Sequence, residues 1–361
     1  MVKLMEQDYG NPSSLHQKGV DAARYVSDAR DKIARLLKVQ AKEIVFTSGG
    51  TESNNMALIG GALANRRAGN KIITTVVEHA SVGSPLTFLE DMGFDVVRIP
   101  TGSDGVVDVD RLVDEVDDDT IIVSVMYVNN EIGAVMPVKD IARRIKEKNP
   151  NVLFHVDAIQ AFGKYVIYPK RMGIDMMSIS SHKFHGPKGV GALFIKDRVK
   201  VKPVIYGGGQ QGGMRSGTEN VPGIAGMALA AEMTYRDLDA NVAHMRELKE
   251  HLIDELTQID DVYSNSGDAP HIASITFKGV RSEVMLHALE EKGIYVSSGS
   301  ACSSNKHSTS STLKAIGLPP EKLESTLRFS FSPENTMEQI DYAVECCKEL
   351  LPILRRYVRK K

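Results

Sequence analysis

What most limits the fold of this chain is a regular recurrence of short, β-rich apolar runs separated by stretches of helical patterning. The runs are Ile44–Phe46, Ile72–Val76, Val96–Ile99, Ile121–Met126, Val152–Val156, Met176–Ile179 and Ala192–Ile195. Between the early ones, segments such as Glu52–Arg67 and Val138–Lys148 place apolar residues at helical spacing. Strand and helix in alternation predict an α/β fold, with a largely parallel sheet covered by helices on both faces. The last interval departs from the pattern. Only about a dozen residues, rich in Gly and Pro, separate Ile179 from Ala192, too few for a helical crossover, so the final strand is expected to run antiparallel. The expectation is a mixed seven-stranded sheet in a large domain over residues 10–240.

A smaller α+β domain is expected over residues 241–361, with residues 1–9 packing on it. A long helix, about Tyr235 to Gln258, leads into it, followed by a strand (Ile272–Phe277), a helix (Ser282–Lys292), a strand (Thr326–Phe331) and an amphipathic helix (Met337–Arg356). Residues 297–312 contain eight serines, and so polar a loop is not expected to pack as core. No repeat occurs at solenoid periods. Length and a 42% hydrophobic content suffice for two cores. A net charge of −2, with basic residues clustered only at Arg355, Arg356, Arg359, Lys360 and Lys361, argues against nucleic-acid binding. No apolar stretch reaches the roughly 18–20 residues of a membrane span. The opening residues carry Glu6 and Asp8 and lack the apolar segment of a signal peptide. Three cysteines, two of them adjacent, cannot frame a disulfide scaffold, which fits a reducing, cytoplasmic setting.

Three segments have the makings of chemistry. Thr47-Ser48-Gly49-Gly50-Thr51-Glu52-Ser53-Asn54-Asn55 follows a strand and opens a helix, where small residues and free N–H groups can receive a phosphate. Such a turn is also an ordinary strand-to-helix connection. Phe154-His155-Val156-Asp157-Ala158-Ile159-Gln160 puts a carboxylate at the carboxyl end of a strand, where open α/β sheets bind ligands. Asp157 either caps the next helix or pairs with a pyridinium nitrogen. Ser178-Ile179-Ser180-Ser181-His182-Lys183-Phe184-His185-Gly186-Pro187-Lys188-Gly189 places a lysine at the same sheet edge. Most lysines are solvated surface charges. With a phosphate cup and an acid on neighbouring strand ends, Lys183 becomes the natural amine for a covalently held aldehyde cofactor. His182 and His185 lack acidic or thiol partners at ligand spacing, so no metal site is expected.

These segments, with Tyr9-Gly10-Asn11-Pro12-Ser13-Ser14-Leu15-His16, Glu78-His79, Asn129-Asn130-Glu131-Ile132-Gly133, Gly213-Met214-Arg215-Ser216-Gly217-Thr218, Ser298-Gly299-Ser300-Ala301-Cys302 and Arg328-Phe329-Ser330, resemble the NifS/IscS-type cysteine desulfurases of the class V aminotransferase group. The resemblance spans nearly the whole chain. It implies the type I fold of pyridoxal 5'-phosphate (PLP) enzymes. Gly50 and Thr51 in the cup, Ser180, His182 and, from the second subunit of a homodimer, Thr218 would bind the cofactor phosphate. His79 would stack on the pyridine ring, Asp157 would pair with its nitrogen, and Gln160 would bond its phenolic oxygen. Asn130, beside the cofactor, and Arg328 would hold the substrate carboxylate, with Asn11 on the substrate side. Lys183 would hold the cofactor and Cys302 would form the persulfide.

The implied reaction turns L-cysteine into L-alanine. The freed Lys183 amine removes the Cα proton, and a Cys302 thiolate attacks the substrate sulfur. The serine-rich loop gives that thiolate reach, and its length matches the branch of the family that feeds iron–sulfur scaffold proteins or other sulfur acceptors. Cys346 and Cys347 fall in the apolar pattern of the last helix and read as core. The resemblance departs at the start, where an Asp-Asn-Ala-Ala-Thr-Thr-like segment is absent, so weaker substrate handling is expected. Selenocysteine lyase activity, or a catalytically weak accessory form, is the alternative.

Overall fold

The computed structural model describes residues 1–298 and 310–356. It divides into two compact units. The first comprises residues 1–99, 109–127 and 137–238, and the second takes residues 100–108, 128–136 and the chain from 239 onward. The second unit therefore draws on two mid-chain loops as well as the C-terminal stretch. The opening helix, Val2–Glu6, is grouped with the first unit and packs on the helix Val221–Arg236.

Seven strands form the sheet of the first unit: β1 (Ile44–Thr47), β2 (Lys71–Thr75), β3 (Asp95–Ile99), β4 (Thr120–Met126), β5 (Leu153–Asp157), β6 (Met176–Ser180) and β7 (Gly191–Ile195). Their order is β1-β7-β6-β5-β4-β2-β3. The pairs from β6 across to β3 are parallel, whereas β7 runs antiparallel to both β6 and β1. All seven apolar runs fall on these strands, and the short Gly/Pro connection produces the one reversed strand. Because β7 is reversed between them, β1 and β6 point the same way. The carboxyl ends of β1, β2, β4, β5 and β6 thus share one sheet edge, with Thr47 and Ser180 both paired to Gly191. Strands β4 and β6 are buried at every position, as expected where helices cover both faces. Leu58, Ile72, Val82, Leu86 and Ile122 pack one of these layers, each worth about 1.5–3 kcal/mol when fully buried.

The 21-residue helix Gln17–Leu37 was not among the expected elements; its buried face pairs the small residues Gly19, Ala22, Ala29 and Ala34 with Val26, Ile33 and Leu37 at helical spacing. The long helix expected over Tyr235–Gln258 is found at Leu238–Thr257, and a further helix, Val221–Arg236, precedes it. In the second unit β8 (Val262–Ser264), β9 (Ile272–Phe277), β10 (Ser297–Ser298) and β11 (Thr326–Ser330) form an antiparallel sheet of order β10-β11-β9-β8. Leu248, Leu252, Ile275, Phe277, Leu327 and Val344 fill its core together with Cys346 and Cys347. Burial pushes the Cys347 thiol up to about 12, with Cys346 adding to the effect, so it is a packing group and not a nucleophile.

Candidate active site

Asp157 ends β5 and is 4% exposed. One carboxylate oxygen accepts from the Ile159 N–H at 3.0 Å, and the other from the Asn54 amide at 2.8 Å. Burial pushes this carboxyl upward; those hydrogen bonds and the charges of His79 and Lys183 act against it. Asp157, His79 and Lys183 are thus electrostatic neighbours in the first unit.

Lys183 sits in a tight turn, Ser181–Phe184, directly after β6. The turn ends with His185 in the left-handed region (φ 64°), and a Cβ at Gly186 would stand 2.0 Å from the Ser181 hydroxyl. The turn is also gripped from below. Lys164, only 8% exposed, donates from Nζ to the Lys183 carbonyl at 2.8 Å. Burial, with the Lys183 charge adding, lowers the Lys164 ammonium to about 8. Ser180 Oγ lies 3.0 Å from His182 Nδ1, and His182 is held below its ordinary value by burial, then by Lys183 and Lys188.

The cup after β1 is tightly built. Gly49 has φ 153°, a Cβ on Gly50 would lie 2.1 Å from Ile159 Cδ1, and one on Gly191 would lie 2.8 Å from Gly49 Cα. The backbone is therefore bare where a phosphate would approach, and Thr51 is exposed in the first turn of the helix that begins there. Glu52 is pinned by Arg215 at 2.9 Å, and Thr47, Ser48, Gly217 and Thr218 line a common cavity of about 160 Å³. Gln160 is half-buried, three residues beyond Asp157.

His79 caps the helix Ala80–Asp91, its Nδ1 lying 3.1 Å from the Ser81 N–H and 2.8 Å from the Ser81 hydroxyl. Its neighbour Glu78 accepts from the Met126 N–H and the Thr75 hydroxyl through Oε1, at 2.9 and 2.8 Å. Burial raises the Glu78 carboxyl to about 8, and the Asp157 charge adds to this, so it is largely protonated at pH 7. Glu78 and Asn54 fall within the quoted segments and Lys164 does not, but the part each plays depends on burial that only the fold supplies.

The substrate-side residues divide between the units. Asn11 is exposed in the first, where its side chain accepts from the Ser13 N–H in a turn. Asn130 and Arg328 both lie in the second, and Arg328 Nη1 donates to the Asn130 carbonyl at 2.6 Å. Arg328 Nη2 donates to Ser297 Oγ on β10 at 3.1 Å. At the other end of the serine-rich stretch, Ser310 caps the helix Ser311–Ala315 and donates to Glu131 Oε2 at 2.5 Å. Ser310 and Thr312 are buried, so this end of the polar stretch does pack: its hydroxyls have partners, with Thr312 accepting from Asn129 at 3.5 Å. Cys302 lies outside the described residues.

Residues 1–343 match the aminotransferase class-V family. The chain belongs to that family. It is 40% identical over 359 residues to a protein of Dictyoglomus turgidum named cysteine desulfurase IscS, covering 98% of this chain and 91% of that one. A protein of the same name from Methanosarcina thermophila is 40% identical over 358 residues, covering 98% and 88%. Among solved structures, a NifS-like protein superposes with TM-score 0.93 at 37% identity, covering 98% of this chain and 94% of its own. A NifS-like protein from Rickettsia africae gives TM-score 0.86 at 29% identity, covering 97% and 94%.

Proposed function

We infer that the chain is a PLP-dependent cysteine desulfurase, converting L-cysteine to L-alanine and passing the sulfur to Cys302. The observation that carries the reading is the meeting of Asp157 and Lys183 at one edge of the first unit's sheet, each held by its own buried partner. PLP fits these residues: a bare backbone at Gly49, Gly50 and Gly191, a buried acceptor at Asp157 and an amine within its field. Gly50, Thr51, Ser180 and His182, with Thr218 from a second copy of the chain, would hold the phosphate. Asp157 would hold the ring nitrogen, Gln160 the phenolic oxygen, His79 the ring face and Lys183 the aldehyde carbon. Bound there, the cofactor supplies an electron sink for the pair left when the Cα proton departs.

The protein's own groups do the remaining work. Lys183, once released, takes the Cα proton on its amine nitrogen. Arg328, with Asn130, orients the substrate carboxylate. The Cys302 thiolate forms an S–S bond as the substrate C–S bond breaks. The electron pair of the C–S bond stays on Cβ, which gains a proton to become the methyl group of alanine, and the sulfur leaves as a persulfide. The sulfur would then pass to an iron–sulfur scaffold or another acceptor protein. A homodimer working in the cytoplasm completes the reading; selenocysteine lyase activity is not favoured. Borohydride reduction of the cofactor-loaded protein followed by peptide mapping should tag Lys183, and a tag on Lys188 or Lys164 would overturn the assignment.

A further inference from the structure

Four side chains in the first unit form a continuous hydrogen-bonded line. Asn54, fully buried, has two amide hydrogens; one meets Asp157 Oδ2 at 2.8 Å and the other meets Ser81 Oγ at 2.9 Å. A carboxylate only accepts, so the amide must turn its nitrogen toward Asp157, and its orientation is not free. The Ser81 hydroxyl lies 2.8 Å from His79 Nδ1, and because that nitrogen already accepts from the Ser81 backbone N–H, the hydroxyl is the donor of this pair. The same nitrogen lies 3.1 Å from the Ser81 backbone N–H. Two donors converge on Nδ1, which must therefore present its lone pair.

We propose that Asn54 and Ser81 are positioning residues that tie Asp157 to His79 and hold the imidazole as the tautomer with its proton on Nε2. The amide oxygen supports this. Asn54 Oδ1 is buried with no partner among the described residues, a defect that costs stability. Turning the amide over would give the oxygen the Ser81 hydroxyl as a donor but would set it against the carboxylate. The fold keeps the orphaned oxygen and the amide–carboxylate bond. A leucine of similar size would fill the space without the defect, so packing alone does not account for this residue. Ser81 is equally constrained, since alanine would fill its 6%-exposed position but carry no proton to Nδ1. The consequence is a fixed ring angle and a fixed donor, set by the same acid that would hold the ring nitrogen of the cofactor.

The inference rests on the roles given to Asp157 and His79 under the proposed function, but its test does not need that function to hold. Long-range ¹H–¹⁵N correlation spectra of ¹⁵N-histidine protein, with and without PLP, would be recorded for wild type, Ser81→Ala, Ser81→Thr and Asn54→Leu, the His79 signals being assigned from their loss in His79→Gln. Wild type should show His79 with the proton on Nε2 in both forms. Ser81→Ala and Asn54→Leu should each admit an Nδ1-protonated population, and Ser81→Thr should restore the wild-type pattern. In turnover, Ser81→Ala should lower kcat about tenfold with KM little changed, as for a misaligned rather than unbound group. A wild-type His79 protonated on Nδ1 overturns the proposal, as does an unaltered tautomer and kcat in both variants. Should Asn54→Leu fail to fold, the wild-type spectrum and the Ser81 pair still decide. A misplaced borohydride tag would instead strike the cofactor reading and leave the tautomer result standing.

Discussion

The two units hold their chemical groups in opposite ways. In the first, Asp157 and Lys183 sit at the buried end of β5 and directly after the fully buried β6, and each is steadied by a side chain that is itself inside the fold. In the second, Asn130 lies in a loop, Ser297 on a two-residue strand and Ser310 at the cap of a five-residue helix, with hydrogen bonds to Arg328 and Glu131. Strand ends locked by packing suit a group that must not move during the reaction. Short elements tied by a few polar contacts suit groups that exchange partners when substrate arrives. If that contrast is right, changes in the first unit should act on chemistry and cofactor, and changes in the second on substrate affinity and local stability.

The largest effect is expected at the covalent centres. Lys183→Ala should reduce alanine formation by roughly a thousandfold or more and lose the borohydride tag. Cys302→Ser should stop sulfide release yet keep the cofactor absorbance, because a hydroxyl is far less acidic than a thiol. Persistent sulfide release from the serine variant would show that another group takes the sulfur. Next comes Arg328→Met, expected to raise KM for cysteine about thirtyfold to a hundredfold through loss of a charge-assisted pair, with PLP affinity unchanged. Steady-state kinetics with a cofactor titration would check this, and a loss of cofactor with an unaltered KM would erase the distinction between the units.

A smaller and less intuitive effect is expected at Lys164. Its ammonium titrates near 8 in the fold and near 10.5 unfolded, so the burial penalty is complete below pH 8 and is relieved as pH rises from 8 to 10.5. Lys164→Met should therefore raise the melting temperature at pH 7 by a few degrees, at roughly 4 °C or less per kcal/mol for a chain this long, while slowing turnover. A melting temperature that falls at pH 7 would mean that the bond to the Lys183 carbonyl outweighs the buried charge. The smallest effect concerns acid. His155 lies between Ser124 and Ser178 hydroxyls at 2.8 and 3.0 Å, and burial lowers it to about 3 from 6.5. The unfolded chain takes up this proton first, so the stabilisation present above pH 6.5 is lost as pH falls toward 3, by at most about 1.4 kcal/mol per pH unit. His155→Gln should flatten the fall in melting temperature between pH 6.5 and 4.5, and an identical slope in both proteins would count against it.

How much could be read beforehand follows the same physics. The seven strands were legible nearly residue by residue, since strands covered on both faces must be continuous apolar runs. Lys183 and Asp157 were legible because strand ends are marked by the motifs that follow them. Gln17–Leu37 was missed although its buried positions 19, 22, 26, 29, 33 and 37 recur every three or four residues, because the expectation rested on the apolar runs from residue 44 onward. Not legible were Lys164, Asn54 and Ser81, whose roles arise from neighbours 19, 103 and 27 positions away along the chain. A lysine or asparagine in a string of letters carries no sign of being indoors.

The reversed strand has a consequence for how the protein is made. Among the described residues the cup strand β1 pairs only with β7, whose first residue, Gly191, is paired with Thr47. On a ribosome adding about 5–20 residues each second, the stretch from Thr47 to Gly191 takes on the order of ten seconds or more to appear. Throughout that interval Ile44, Val45 and Phe46 have no partner strand, and nascent chains in this condition are prone to association. The binding cup would thus be among the last parts of the first unit to form, although its residues are among the first translated. Slowing synthesis between residues 48 and 190 should therefore lower the yield of active protein more than slowing it after residue 240.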